Sequence, residues 1–320
     1  MSRLAVVTAF YQRQPGLLRA ALTSARNQIG APDLQFIIVD DSSPLPIEPE
    51  LAGLEDLSIT LIRQPNAGPG PARNRGLDAV PADADWIAFL DSDDVWGEHH
   101  LARAVAALEQ GYDFCFANLK REGDAATHYG LNRFDPDRHP PLAIDPTLRV
   151  FEGDFFHACL TNAPVGTSTV VVRNSTIGHI RFAQRKDIWE DLVFWLRAAR
   201  ASSRVVFDST VQVEYSHGGI TKTASWKTNH HLRNVLYYES YYDTIGREFD
   251  LTAPQKDLLA DLKRTNRDDF ARVVLGIIAE GERPEPAYVR PFIRRNPVVL
   301  GEFVRILGAK AVRRTFGRSA

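Results

Sequence analysis

The first half of the chain alternates short apolar runs with stretches of helical spacing. Leu4–Phe10 is an apolar run of the kind found in a buried parallel strand. Leu17, Leu18, Ala21, Leu22 and Ala25 follow at helical spacing, after Pro15 and Gly16. Phe36–Val39, Ile59–Ile62 and Trp86–Leu90 predict three more strands. A loop rich in Gly and Pro (Pro65 to Pro71) leads into a helix through Leu77 and Val80. This rhythm predicts an α/β fold with a mostly parallel central sheet and helices on both faces. Further on, Tyr112–Leu119 and Thr167–Val172 read as strands, and Asp135–Pro146 between them as a mobile flap. Trp189–Ala201 reads as a helix with an apolar stripe of Leu192, Trp195, Leu196 and Ala199. From Trp226 onward the pattern is helical, over Trp226–Phe249, Gln255–Glu280 and Val298–Phe316.

Polar clusters fall where the strands end, which is where open α/β sheets bind ligands. The sharpest is Asp91-Ser92-Asp93-Asp94. Its carboxylates repel one another unless a cation neutralises them, and hard divalent ions take carboxylate and phosphate oxygens together. In an extended turn Asp91 and Asp93 project to one side. The competing reading is an Asp-rich turn that caps the next helix. Asp40-Asp41 is a second pair. It can accept from ribose hydroxyls or a base N–H, or form an Asx-turn before Pro44.

The segment Asn66-Ala67-Gly68-Pro69-Gly70-Pro71-Ala72-Arg73-Asn74 contains G-x-G. A dinucleotide fingerprint needs backbone N–H donors at a helix start. Pro69 and Pro71 remove two of them, and Arg73 takes the third glycine position. That cofactor reading fails. Arg73 is instead a candidate for contacting a phosphate or a base.

Taken together, these residues resemble the inverting glycosyltransferases of family 2, which have the GT-A fold. The matching segments are Val6–Tyr11, Ile38–Ser43, Asn66-Ala67-Gly68 with Ala72–Gly76, Phe89–Asp94, and Trp189-Glu190-Asp191-Leu192. They span roughly residues 3 to 220. The resemblance implies a GT-A-like catalytic domain over 1–220, with a nucleotide-binding half (about 1–119) and an acceptor-binding half (about 120–220). Residues 221–320 form a helical C-terminal region. It also implies roles. Thr8, Ala9 and Phe10 line the base pocket, Asp41 bonds the base with Asp40 nearby, and Arg73 and Ser92 sit against the nucleotide. Asp91 faces ribose and metal, Asp93 ligates Mg²⁺ or Mn²⁺, and Asp191 is the catalytic base with Glu190 beside it.

The implied reaction moves a hexose from a nucleoside diphosphate sugar, a UDP-sugar by first expectation, to a hydroxyl of a glycan or lipid-linked glycan. Such a transfer needs a cation for the departing diphosphate and a single carboxylate for the acceptor proton. Glu190 and Asp191 cannot form a glycosidase dyad, since adjacent helical residues point about 100° apart. Asp191 lies at the edge of the apolar stripe and Glu190 away from its centre. Both can also serve as helix N-terminal caps. His217, before Gly218-Gly219, is a candidate metal ligand or a plain loop histidine. Trp96 is a candidate for stacking on a sugar or for the core. His99-His100 and His230-His231 read as helix-surface residues. The basic run Arg181–Lys186 suggests an acceptor carrying phosphate or carboxylate. No Gln-x-x-Arg-Trp segment of the processive synthases is present.

Composition narrows the partners. The formal charge is -2, which gives no general attraction to nucleic acid. Cys115 and Cys159 sit among apolar residues and read as buried thiols. The N-terminus lacks a signal-peptide core and no run approaches the ~20 apolar residues of a span, so a cytoplasmic protein is expected. Residues 290–318 carry a net +7, leaving -9 for the remainder. Leu300, Phe303, Val304, Leu307 and Ala311 form a stripe there, flanked by Lys310 and Arg314. That pattern suits a helix lying peripherally on the anionic inner membrane face, or one packed on protein. Two other functions fit parts of this picture: a sugar-phosphate nucleotidyltransferase, which usually has a basic Gly-rich N-terminal loop that residues 8–16 lack, and a non-catalytic membrane-associated scaffold.

Overall fold

The structure, a computed structural model, describes residues 2–161, 164–185, 189–216 and 227–316. The chain divides into two compact units. One comprises Met1–Lys186 with Glu190–Thr221, the other Asp187–Trp189 with Lys222–Ala320.

The first unit is built on one mixed sheet. In chain order its strands are β1 (Arg3–Phe10), β2 (Asp33–Asp40), β3 (Ile59–Arg63), β4 (Trp86–Phe89), β5 (Val95–Trp96), β6 (Phe114–Arg121), β7 (Pro141–Leu142), β8 (Asp145–Val150), β9 (Val171–Arg173) and β10 (Val205–Tyr215). The spatial order is β3-β2-β1-β4-β9-β6-β10-β8-β7, with β5 also on β10. Strands β3, β2, β1 and β4 pair in parallel, as do β6 and β10. Short β9 runs antiparallel between β4 and β6. Helices α1 (Leu17–Arg26), α2 (Glu48–Leu51), α3 (Pro69–Leu77), α4 (His100–Glu109), α5 (His128–Leu131), α6 (Phe155–Thr161), α7 (Asn174–Ile177) and α8 (Glu190–Ala201) complete the unit.

Strand alternation explains the layering. Leu4, Val6 and Phe10 of β1, with Phe36 and Ile38 of β2, face Leu18, Ala21, Leu22 and Ala25 of α1. Ala5 and Ile37 point to the opposite face. There α3 packs so closely that a Cβ on Gly76 would lie 2.6 Å from Val7 Cγ1. Cys115 and Cys159 are buried free thiols.

Several segments differ from the pattern-based expectation. Thr167–Thr169 is a 3₁₀ turn that precedes the short β9, because the Thr169 hydroxyl donates to the Gly166 carbonyl and local side-chain bonds of this kind compete with a ladder. The expected flap holds β7 and the start of β8, pinned where Arg103 binds Asp145. β10 was not anticipated. Its apolar run is broken by Asp208-Ser209-Thr210, where the register shifts and buried Asp208 accepts from Arg103. His100 is buried against Trp96 and not on the helix surface, and burial pushes its pKa down to about 3. Trp96 is a core residue whose indole N–H donates to the Ser168 carbonyl at 2.6 Å, so it offers no sugar platform.

The second unit is helical: α9 (Asn229–Glu248), α10 (Ala253–Ala279), α11 (Pro286–Arg295) and α12 (Val299–Phe316). Leu232, Val235, Phe270, Val273, Ile277, Phe292 and Val299 form its core, with Phe270 stacked on Phe292. The expected tail stripe divides. Phe303 packs on this core, while Leu300, Val304 and Leu307 stay more than half exposed. No helix among the described residues is long and apolar enough to cross a membrane.

Candidate active site

The ends of β1, β2 and β4 and the start of α3 enclose a cavity of about 560 Å³. It is lined by Ala9, Phe10, Tyr11, Gln12, Asp41, Asn66, Gly68, Pro69, Ala72, Arg73, Asp91, Ser92 and Asp93. Most of the expected nucleotide residues therefore meet in one place. Thr8 and Asp40 do not line it. Thr8 is buried in β1 and its hydroxyl has no partner among the described residues. Asp40 accepts from the Ser43 N–H at 2.8 Å, the turn-capping alternative for that residue.

Asp41 is buried and all four of its acceptor positions are engaged. Oδ1 accepts from Gln64 Nε2 (2.7 Å) and the Ala67 N–H (2.8 Å); Oδ2 accepts from Asn66 Nδ2 (3.1 Å) and the Gly68 N–H (2.8 Å). One carboxylate thus shapes the whole loop that delivers α3.

The acidic loop after β4 is braced from both sides. The Asp91 N–H donates to the Ser168 hydroxyl at 3.0 Å, and that hydroxyl donates to Asp94. The Ser216 N–H also reaches Asp94, at 3.3 Å. Buried Gln12 donates to Ser92 Oγ at 2.8 Å. Asp94 is thereby a structural residue, which leaves Asp91 and Asp93 toward the cavity. Burial, then the Asp91 charge, pushes Asp93 up to about 6. The same two causes raise Asp94 well above the usual range.

Arg73 sits at the back of the cavity, 7% exposed. Its guanidinium donates to Asp91 at 2.6 Å and to Glu190 at 3.1 Å, and lies over the Phe182 ring. Burial works against its charge, but Asp91 and Glu190 prevail and hold it firmly protonated. Glu190, expected off the apolar stripe of α8, is therefore turned into the site. Asp191 follows it in the first turn, half-buried, and its Oδ1 accepts from the Leu192 N–H at 2.8 Å. Burial, then the Glu190 charge, raises the Asp191 pKa. Arg181 is bound to Asp78 and is no free acceptor ligand. His217 and Lys186 lie outside the described residues.

Among the described residues no group of three or more His, Cys, Asp and Glu side chains is arranged to hold a metal. The fit instead rests on the donor chemistry. Asp91 and Asp93 offer hard oxygen ligands beside an open cavity, and Mg²⁺-type ions commonly take one or two carboxylates with phosphate oxygens and water as the rest. Burial first, and the neighbouring Asp91 charge second, disfavour an ionised Asp93, and a cation between the two carboxylates would offset both.

Four contributors were missed from sequence: Gln12, Ser168, Phe182 and Gly70. Ser168 lies 77 positions from Asp91, with no local pattern linking them. A Cβ on Gly70 would stand 2.6 Å from the Ala183 carbonyl oxygen and 2.9 Å from Glu190 Cγ.

Comparison with known proteins identifies the family and the fold. The model of Glycosyl transferase family 2 matches residues 5–169. The succinoglycan biosynthesis protein ExoW of Rhizobium meliloti (strain 1021) is 40% identical over 212 residues, 64% of this chain and 66% of that protein. The minor teichoic acid biosynthesis protein GgaA of Bacillus subtilis (strain 168) is 34% identical over 201 residues, 56% of this chain and 39% of its own length. The chain thus spans at most about two thirds of these relatives. Among solved structures, S. aureus TarS 1-349 in complex with UDP aligns with TM-score 0.58 at 18% identity, covering 86% of this chain and 81% of that one. The mannosyltransferase PcManGT of Pyrobaculum calidifontis, in complex with GDP-Man and Mn²⁺, aligns with TM-score 0.57 at 15% identity, covering 99% and 88%. These likenesses show a shared GT-A-like fold. The chain belongs to glycosyl transferase family 2.

Proposed function

We propose that the chain transfers a sugar, with inversion, from a nucleoside diphosphate sugar to a hydroxyl of a glycan or lipid-linked glycan. A UDP-sugar is the first choice of donor. The observation that carries this reading is the cavity where Asp91 and Asp93 open beside Arg73. Relatives named for succinoglycan and teichoic acid biosynthesis support a polysaccharide product. Neighbours solved with UDP, UDP-GlcNAc and GDP-Man support the donor class.

In this reading Asp91 and Asp93 would hold Mg²⁺ or Mn²⁺, which would supply charge stabilisation to the departing diphosphate. Ala9, Phe10 and Tyr11 form the wall for the base, and Asp41 holds the loop that closes it. Arg73 donates to Asp91 Oδ1 and so fixes that carboxylate at the cavity wall. Asp191 takes the acceptor hydroxyl proton. Its raised pKa strengthens it as a base, and burial offsets the helix dipole that would weaken it.

We further propose that the exposed stripe Leu300, Val304 and Leu307 rests on an anionic membrane surface at the inner leaflet, aided by the basic residues of 290–318.

Calorimetry of nucleoside diphosphates with and without Mn²⁺ tests the donor site. Tight binding of one nucleotide only with metal, lost in Asp93→Ala, is expected. A folded protein that binds none would overturn the proposal.

A further inference from the structure

Arg73 and Glu190 are 117 positions apart and meet in the interior of the first unit. Three residues on one face of α3 grip the segment that contains the candidate base. Gly70 lies against the stem of Glu190 with no room for a Cβ. Arg73 donates to the Glu190 carboxylate. Asn74 exchanges two hydrogen bonds with the Phe182 backbone, at 3.0 and 2.7 Å. Phe182 in turn stacks flat on Phe194, with centroids 3.9 Å apart. Phe194 is one turn beyond Glu190 in α8. The helix is thus held at two successive turns, by Glu190 on Arg73 and by Phe194 on the ring beneath Arg73.

We propose that Glu190 is a positioning residue: it fixes the rotation of the first turn of α8 against Arg73 and so sets where the Asp191 carboxylate points, and it moves no proton itself. Adjacent helical side chains are about 100° apart, so locking one azimuth locks the next. Through the second arm of Arg73 the same lock ties the base to Asp91 on the donor side. Glu190→Gln keeps an oxygen to accept from Arg73; Glu190→Ala does not.

This inference rests on Asp191 being the base, and the test separates the two. The assay is release of nucleoside diphosphate with Mn²⁺ and water as acceptor, using whichever of UDP-glucose, UDP-GlcNAc or GDP-mannose wild type turns over fastest. Water attacks the anomeric carbon, its proton passes to Asp191, and the diphosphate leaves with the bonding pair. At a pH above the acid limb, Glu190→Gln should retain most of the rate that Glu190→Ala loses. Glu190→Ala should lower kcat by about 10²-fold with donor KM unchanged, the loss expected from misplacing a base by about 1 Å. Asp191→Asn should lose about 10²–10⁴-fold. A Glu190→Gln as inactive as Asp191→Asn overturns the positioning role, because the charge itself is then required. An active Asp191→Asn overturns the base assignment instead. A crystal structure of Glu190→Ala decides independently of activity: a displaced Asp191 supports the inference, and an unmoved first turn of α8 refutes it.

Discussion

The Asp91 backbone N–H donates to the Ser168 hydroxyl at 3.0 Å, and that hydroxyl donates onward to buried Asp94. One hydroxyl therefore joins the first and last carboxylate-bearing residues of the acidic loop, alongside the braces from Gln12 and Arg73. Ser168→Ala leaves a backbone donor and a buried carboxylate each short of a partner. We expect a stability loss of about 1–3 kcal/mol, read by urea unfolding. Mn²⁺-dependent UDP binding should weaken with it, since Asp91 and Asp93 share the loop. Unchanged binding would mean that the loop keeps its shape without Ser168.

Two glycines in helices should respond oppositely to alanine. At Gly70 the new Cβ meets the Ala183 carbonyl oxygen at 2.6 Å, a backbone atom that cannot turn aside. Overpacking of about 1–3 kcal/mol outweighs the gain in helix propensity of about 1 kcal/mol. Among the described residues Gly301 in α12 has nothing within 4 Å of an added Cβ, so there the propensity gain stands alone. Thermal melts should show Gly70→Ala lowered and Gly301→Ala raised; the same sign for both would contradict the packing at α3.

The Asp191 carboxyl is held above the ordinary carboxylate range by burial and then by the Glu190 charge. A base works when ionised, so kcat/KM should fall as pH drops through that raised value. Glu190→Gln removes the neighbouring charge and should move the acid limb to lower pH. An acid limb that stays in place in this variant would assign it to another group.

His100 gives a stability signature separate from catalysis. Its folded pKa is pushed down to about 3 by burial, and its imidazole Nε2 has no partner among the described residues. The unfolded chain takes up a proton near pH 6.5 that the folded state refuses. Stability is therefore full above about pH 6.5 and falls by about 1.4 kcal/mol per pH unit on acidification toward the folded pKa. His100→Phe keeps a ring beside Trp96 and should flatten this slope between pH 6.5 and 4.5, as read by denaturant unfolding; an unaltered slope would place the titration elsewhere.

Much of this protein was determined by local sequence. The parallel strands β1 to β4, helices α1, α8, α9, α10 and α12, and the acidic residues at strand ends follow from periodicity and composition over a few residues. So did the set Asp41, Arg73, Asp91 and Asp93, because a strand end and the following loop are contiguous in the chain. The tertiary structure decided what depends on partners far away. It engaged Asp41 and Asp94 within the scaffold, brought Ser168 under the acidic loop, and turned Glu190 onto Arg73. It also buried His100 and divided the tail stripe between a packed and an exposed face. The physical reason is common to these cases. A charged or polar side chain has similar local preferences whether it meets water or a partner across the sheet. Only packing settles which of the two it meets.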